Sequence, residues 1–199
     1  MSNWILRLYR NRPVLANGIS GFFIFSSGDL LSQLAVQKNR NVRDIEKTRV
    51  ISVGLFGVGL NGLFLTHYYR LLDQAVGKSQ KRLSTIVTKI IIDQIINAPI
   101  CNILFFGFSS FYSGGHFVER IERFQHTLLT KLWSTWIADC SVWPFANVVN
   151  FKFIPVNFRP TWVGVCQIFW NAYLCGVAFG DSSVDESSKD YKGKPAFHA

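Results

Sequence analysis

Hydrophobic residues in this chain are gathered into four long stretches that contain almost no charge. They are Val14–Val36, with Asp29 as its only formal charge, Val50–Tyr69, Gln94–Val118 and Pro160–Gly180. A helix of about 20 mostly apolar residues crosses the roughly 30 Å hydrocarbon core of a bilayer. Because these stretches lack the polar face of a soluble helix, they predict membrane spans. We expect an all-α, polytopic helical membrane protein with about four transmembrane helices plus a short interfacial helix.

Composition agrees with this interpretation and excludes a disordered chain. Of the 199 residues, 49% are hydrophobic and 17% are charged, and the mean hydropathy is +0.19. The formal net charge of +9 is typical of proteins that contact nucleic acid or anionic lipid, or that carry a basic targeting segment. Cations between Lys38 and Arg49 alternate with acids in a connecting loop, without a nucleic-acid-binding motif. We therefore expect a lipid-facing loop and no direct binding of nucleic acid.

The chain divides into three parts. Residues 1–13 form a basic N-terminal segment without acids, residues 14–180 a single helical transmembrane domain, and residues 181–199 a polar tail that we expect to be disordered. Four spans would place the N-terminus, the connection at residues 73–89 and the tail on one side of the membrane. The loop at residues 38–49 would lie on the other side. Since both sides are basic, the positive-inside rule leaves the orientation open.

A few polar side chains inside or beside the apolar stretches are the candidate functional residues. Ionisable groups in a membrane helix are costly, so each needs a partner or a function. Asp29 and Gln33 lie four residues apart on one helix face, and Lys89 and Asp93 share that spacing and are expected to pair. Two interpretations stay open. These residues and Gln94 line a polar path through the bundle, or their hydrogen bonds, about 0.6 kcal/mol each on average, fix helix packing.

Glycines and prolines predict where helices pack closely or change direction. Gly54, Gly57 and Asn61 share one face of the second stretch, which permits close approach of a neighbouring helix. Pro99 would free a backbone carbonyl one turn earlier, so we expect a kink in the third span.

The C-terminal third carries a series of tryptophans. Trp133, Trp136 and Trp143 fall on one side of a helix, which predicts an interfacial belt. Pro144 follows directly, and proline suits the first helical turn, so we expect a new helical segment to begin there.

The sequence has no pattern typical of an enzyme. It lacks HExxH, Cys/His ligand spacing and a phosphate-binding glycine loop. The histidines are scattered at His67, His116, His126 and His198. The cysteines form no pairing pattern and lie at Cys101, Cys140, Cys166 and Cys175. We expect inert thiols, no metal, no cofactor and no enzymatic activity.

The order of these motifs resembles one family, the 22-kDa peroxisomal membrane proteins, also called the Mpv-type family. In the N-terminal half the matching elements are Pro13, Gly28-Asp29 with Gln33, Asp44 with Arg49 and Gly54, His67-Tyr68-Tyr69 with Leu72, Lys89, Asp93-Gln94 and Pro99. The most specific block is Trp143, Pro144, Asn147, Asn150, Phe151, Pro155, Arg159, Trp170-Asn171 and Tyr173-Leu174. The chain departs from the family at Asn61-Gly62-Leu63, where a Gly-Pro pair is usual, and at Asn147, where Gln is usual.

The resemblance implies an integral protein of the mitochondrial inner membrane or the peroxisomal membrane. It also implies non-selective channel or metabolite-transport behaviour, and a role in mitochondrial DNA maintenance and control of reactive oxygen species. The basic N-terminus favours the mitochondrion. Implied partners are membrane lipid, small metabolites or ions, and a second copy of the chain. The stretch from Lys131 to Pro144 resembles a branch tied to mitochondrial ribosomes, so the alternative is a non-transporting scaffold that assists ribosome assembly and translation.

Overall fold

The computed structural model describes residues 3–35, 45–77, 83–153 and 159–180, and within these ranges all regular structure is helical. The helices are α1 (Asn3–Asn11), α2 (Pro13–Ala35), α3 (Lys47–Gly57), α4 (Thr66–Val76), α5 (Leu83–Ile92), α6 (Ala98–Tyr112), α7 (Phe117–Phe153) and α8 (Arg159–Phe179). Two π-helical stretches, Val58–Leu65 and Asp93–Asn97, join α3 to α4 and α5 to α6 without a break. The all-α prediction is confirmed. The predicted tail, residues 181–199, lies outside the described ranges.

Four helical units are long and apolar enough to cross a membrane. They are Pro13–Ala35, Lys47–Val76, Ser84–Tyr112 and Trp162–Phe179. These units coincide with the four apolar stretches of the sequence, so the prediction of a polytopic membrane protein is confirmed. Their outer faces expose large apolar side chains such as Phe23, which suits contact with lipid.

Helix α7 is the element that the sequence did not predict. It has 37 residues and is about 55 Å long at a rise of 1.5 Å per residue. It runs antiparallel to the third span. Near one end Arg123 Nη1 donates to Ser110 O (3.1 Å), and farther along Trp136 Nε1 donates to Gln94 O (2.8 Å). The chain therefore traverses the length of the bundle five times, although α7 is less apolar than the other four passes.

Helix α8 returns antiparallel to α7 and parallel to α2. Lys131 Nζ donates to Val177 O (2.7 Å), and Trp162 Nε1 donates to Ala146 O (3.0 Å), which fixes the α7–α8 register. Helices α2 and α8 make the most extensive contact in the bundle and end at the same end of it. The first span therefore begins at the opposite end from Gly180. The four-span prediction would place these two positions at the same end, and the difference arises because it did not count α7 as a pass; the tail itself, residues 181–199, lies outside the described ranges.

The expected new helix at Pro144 is also wrong, since α7 continues through this proline to Phe153. An interior proline removes one backbone hydrogen bond and crowds the preceding turn. Contacts with α8 hold the helix on both sides of it. The Trp143 and Trp170 rings meet edge to face with centroids 6.5 Å apart, and Ala146 O accepts the Trp162 hydrogen bond described above.

Pro99 occupies the first turn of α6, directly after the π-helical stretch Asp93–Asn97. A proline N lacks the hydrogen that would bond to a carbonyl one turn earlier. The helix is thus wider directly before Pro99, and the predicted kink in the third span stays a prediction.

Glycines bring α2 into direct backbone contact with the second span, as Gly54 and Gly57 predicted. A Cβ atom added to Gly57 would lie 2.6 Å from Gly21 O, and one added to Gly21 would overlap Gly57 O. Next to this contact, Phe25, Val53 and Phe105 form the buried apolar core. Close glycine contacts of this kind stabilise helix pairs in lipid through van der Waals packing.

Candidate functional site

A buried ion pair lies at the end of the bundle where α2 and α8 end. Arg49 Nε contacts Asp29 Oδ1 at 3.0 Å and Oδ2 at 3.3 Å, and the two residues are 3% and 0% exposed. Gln33 Nε2 donates to Asp29 Oδ2 (2.8 Å), so the predicted contact between Asp29 and Gln33 is confirmed. The pair neutralises the only formal charge of the first span.

Further contacts connect this ion pair to the neighbouring helices. The backbone N of Glu46 donates to Gln33 Oε1 (2.8 Å), and Tyr112 OH donates to Glu46 Oε1 (2.7 Å). Arg49 Cζ lies 4.8 Å from the centroid of the Phe179 ring. We call Asp29, Gln33, Glu46, Arg49 and Tyr112 the Asp29 cluster. It joins α2, α3, α6 and α8 at one end of the bundle.

A second set of polar side chains lies inside the bundle, between α6, α7 and α8. This interior group consists of Gln94, Asn102, Thr135, Asp139 and Asn171, each at most 8% exposed. Gln94 Nε2 donates to Asp139 Oδ1 (3.4 Å), and Thr135 lies one helical turn before Asp139 on the same face. The α7–α8 register places this turn of α7 at the level of Asn171.

Two atoms of the interior group, Thr135 Oγ1 and Asn171 Nδ2, have no hydrogen-bond partner among the described residues. Both side chains are at most 1% exposed. The Asn102 amide, equally buried, interacts with the Asp139 carboxylate. A buried polar atom without a partner costs about 1–3 kcal/mol, and most such atoms in native proteins bind protein groups or water. Thr135 and Asn171 therefore have capacity to bond to water or a solute.

The predicted pair between Lys89 and Asp93 is wrong. Lys89 Nζ donates to Asp73 Oδ1 (2.6 Å), because α4 and α5 pack side by side at the end opposite the Asp29 cluster. Asp93 Oδ1 accepts from Tyr69 OH (3.2 Å) and Asn97 Nδ2 (3.0 Å). Helix α4 supplies a partner for each residue, Tyr69 for Asp93 and Asp73 for Lys89, and these contacts between helices replace the pair that the four-residue spacing predicted.

The five predicted polar residues therefore lie in different surroundings. Asp29 and Gln33 are part of the Asp29 cluster, and Gln94 is part of the interior group. Asp93 is hydrogen-bonded to Tyr69 and Asn97, and Lys89 pairs with Asp73 at the end of the bundle opposite the Asp29 cluster. That they form one path stays a prediction.

Five buried residues of these sites are absent from the predicted polar path, although Arg49 and Asn171 are among the matches to the family pattern. Arg49 stands at the border of an apolar stretch and was assigned to a loop. Asp139 and Thr135 lie in α7, which is too polar to be recognised as a pass. The five residues are Arg49, Asn102, Thr135, Asp139 and Asn171.

The C-terminal family motif forms part of the α7–α8 contact. Trp143 packs on Trp170, and Asn147 is half-buried on α7, as is Pro144. Asn150 and Phe151 belong to the last turns of α7, and Arg159 begins α8. Pro155 lies outside the described residues.

The four cysteines are free, and only Cys175 is fully buried. Within the described parts of the chain, no group of three or more His, Cys, Asp or Glu side chains is arranged to hold a metal ion.

Comparison with known proteins identifies the family. The sequence profile of the Mpv17 / PMP22 family matches residues 118–175, which include most of α7 and α8. Protein SYM1 of Eremothecium gossypii is 30% identical over 167 residues, covering 83% of this chain and 88% of that protein. The chain belongs to the Mpv17 / PMP22 family.

Other family members match over similar lengths. The mitochondrial inner membrane protein Mpv17 of Drosophila melanogaster is 27% identical over 165 residues, covering 83% of this chain and 95% of that protein. PXMP2/4 family protein 2 of Dictyostelium discoideum is 28% identical over 189 residues, covering 93% and 95%. No solved structure matches the chain significantly. The relatives named SYM1 and Mpv17 confirm the expected location in the mitochondrial inner membrane. The PXMP2/4 relatives fit the peroxisomal alternative.

Proposed function

We propose that the protein is a channel or transport-like protein of the mitochondrial inner membrane, with the interior group as its route for small polar solutes or ions. The observation that supports this proposal is the presence of two buried polar atoms, on α7 and α8, without a hydrogen-bond partner among the described residues.

The surrounding lipid makes these atoms informative. In a bilayer no outside water reaches a buried polar group, so its hydrogen bonds must come from protein, from internal water or from a solute. Purely structural polar residues would bond to each other across the helices, as Gln94 and Asp139 do. Thr135 Oγ1 and Asn171 Nδ2 instead have no partner among the described residues. Internal water or a passing solute would bond to these atoms without breaking any hydrogen bond between protein groups.

The Asp29 cluster supplies one end of this route. Asn171 packs directly against Gly28, since a Cβ added to that glycine would lie 2.5 Å from Asn171 Cβ. Asp29 is the next residue, and Arg49 Nη2 beside it is a third buried atom of these sites without a hydrogen-bond partner among the described residues. A solute leaving the interior group thus meets a buried cation whose charge Asp29 balances.

At the level of the organelle, we extend the proposal to mitochondrial homeostasis, including maintenance of mitochondrial DNA and control of reactive oxygen species. Family membership supports this part. Solute exchange across the inner membrane is the activity that would connect mitochondrial homeostasis with the interior group.

Flux through reconstituted vesicles tests the proposal with the substitution Thr135→Val. Valine has the shape of threonine without the hydroxyl, so the interior loses one polar atom and gains no volume. We expect solute flux or single-channel current to fall about tenfold, while thermal stability rises or stays the same because an unpartnered hydroxyl is gone.

The matched control is Ser110→Ala on α6. Ser110 is equally buried, but its Oγ already donates to Phe106 O (2.8 Å) within the same helix. We expect unchanged flux in this variant. Unchanged flux in Thr135→Val would contradict the proposed route. Silent vesicles for the unmodified protein, together with salt-sensitive co-purification of ribosomal subunits, would favour the non-transporting scaffold.

A further inference from the structure

A groove of about 760 Å³ runs along the lipid-facing side of the bundle, between α2 and the first π-helical stretch. Its walls are apolar, with Leu15 and Ile19 on one side and Leu63 on the other. These three side chains are 45–61% exposed, so the groove is open toward lipid. The volume lies within the range of about 300–1,000 Å³ that is usual for small-molecule sites. We call it the α2 groove.

Two glycines create the depth of this groove. A Cβ added to Gly62 would lie 3.0 Å from Gly18 Cα and 2.9 Å from Val14 O. The two backbones therefore meet without side chains between them, and the larger neighbouring residues form walls on either side. A concave surface remains where two ordinary helices would present interlocked side chains.

Two arginines stand at one end of the α2 groove. Arg12 precedes the first span by one residue, and Arg70 lies near the end of the second span, which runs antiparallel to the first. Both line the groove, and neither takes part in the ion pairs found in residues 3–35, 45–77, 83–153 and 159–180. The groove thus has apolar walls at membrane depth and two available cations near the membrane surface.

We propose that the α2 groove binds one anionic phospholipid. An acyl chain lies in the apolar part of the groove, and the headgroup phosphate lies between Arg12 and Arg70. Arginine binds phosphate oxygens through a fork of N–H donors, and cations at the membrane surface attract anionic headgroups. This site is separate from the interior group, and its occupancy does not depend on solute transport.

The charges distinguish a lipid from a second copy of the chain. A two-fold axis along the membrane normal would bring Arg12 and Arg70 of both copies to the same end of a shared interface. Four cations without acids would repel each other there. A smaller groove of about 260 Å³, lined by apolar residues such as Phe56 and Leu104, carries no charged residue and serves as an internal comparison.

Native mass spectrometry of the detergent-solubilised full chain tests the proposal. The protein is incubated with phosphatidylglycerol or with phosphatidylcholine of identical acyl chains. We expect retention of one phosphatidylglycerol molecule and much weaker retention of phosphatidylcholine. The double variant Arg12→Gln/Arg70→Gln should bind phosphatidylglycerol about 25-fold more weakly, since each surface cation contributes about fivefold.

Two further variants separate the headgroup from the chains. Arg10→Gln removes an exposed cation of α1 that does not line the groove, and it should leave phosphatidylglycerol binding unchanged. Leu63→Trp fills the groove and should weaken binding of both lipids while all cations remain. Equal retention of the two lipids, or an equal loss in Arg10→Gln, would overturn the proposal. So would a lipid-free dimer that Leu63→Trp dissociates.

Discussion

The two halves of the bundle are held together by different means. Where α2 meets the second span, glycine backbones touch and the buried charges of Arg49 and Asp29 pair at 3.0 Å. Where α6, α7 and α8 meet, the contacts are aromatic rings and neutral polar groups. Buried polar atoms without a hydrogen-bond partner among the described residues occur in both halves, for example Arg49 Nη2 in the first and Thr135 Oγ1 in the second. The halves therefore differ in what joins their helices: buried charge and backbone contact in the first, rings and polar groups such as Gln94 and Asp139 in the second.

The surrounding lipid explains why this difference has meaning. Burial of apolar surface does not drive helices together in a bilayer, so close packing and interhelical hydrogen bonds must do so. The α2 half combines close backbone contact with a buried ion pair. The α7 half relies on ring contacts and on hydrogen bonds such as that of Gln94 with Asp139.

Removal of one partner from the buried ion pair should have the largest effect. Arg49→Met leaves the Asp29 carboxylate buried without its cationic partner, although the Gln33 hydrogen bond remains. We expect a loss of about 3–5 kcal/mol in the free energy of unfolding. Thermal unfolding in detergent, followed by circular dichroism or tryptophan fluorescence, measures it.

The double variant Asp29→Leu/Arg49→Met is the control for this prediction. It replaces both charges with apolar side chains and should recover most of the lost stability, since a buried ion pair is often no more stable than its apolar replacement. If the single variant Arg49→Met were as stable as the unmodified protein, the Asp29 cluster would not stabilise the contacts between helices in this half of the bundle.

The glycine contact should give the next largest effect. Gly21→Ala introduces a Cβ that overlaps Gly57 O, so the helices must separate, and we expect a loss of about 1–3 kcal/mol. Gly59→Ala is the matched control, because a Cβ there meets no atom within 4 Å. Equal melting temperatures of the two alanine variants would contradict the backbone contact as a source of stability.

The sequence predicted what depends on local composition and spacing. Apolar length predicted the four spans, and the glycine face with Gly57 predicted the close contact. The four-residue spacing of Asp29 and Gln33 predicted their hydrogen bond. Each of these features follows from the geometry of one helix, which a single sequence specifies.

The rest depends on which helices become neighbours. Arg49 is 20 residues from Asp29, and Asp73 is 16 residues from Lys89, so helix spacing rules cannot identify these pairs. Helix α7 was not recognised as a pass because charged residues such as Glu122, Arg123 and Lys131 interrupt its apolar residues. In the sequence, Asp139 resembles a charged residue of a loop, whereas the structure places it inside the bundle, where it accepts a hydrogen bond from Gln94.

In the α7 half, the bond from Trp136 to the backbone should give a smaller effect. Trp136→Phe removes the donor of the 2.8 Å bond to Gln94 O and should cost about 0.5–1.5 kcal/mol. Trp133→Phe is the control, because Trp133 stacks on the same ring with centroids 5.0 Å apart but is 68% exposed. Equal losses in both variants would assign the stability to ring stacking instead.

The smallest effect is expected from the second ion pair. The Lys89 Nζ to Asp73 Oδ1 distance of 2.6 Å is shorter than the 3.0 Å contact of Arg49 with Asp29. However, the side chain of Asp73 is 48% exposed, so water solvates both partners once they separate. Lys89→Met should therefore cost at most about 1 kcal/mol in the same unfolding measurement, less than Arg49→Met, and this loss should shrink as salt is added. A loss as large as that of Arg49→Met would mean that contact distance, more than burial, determines the strength of ion pairs in this bundle.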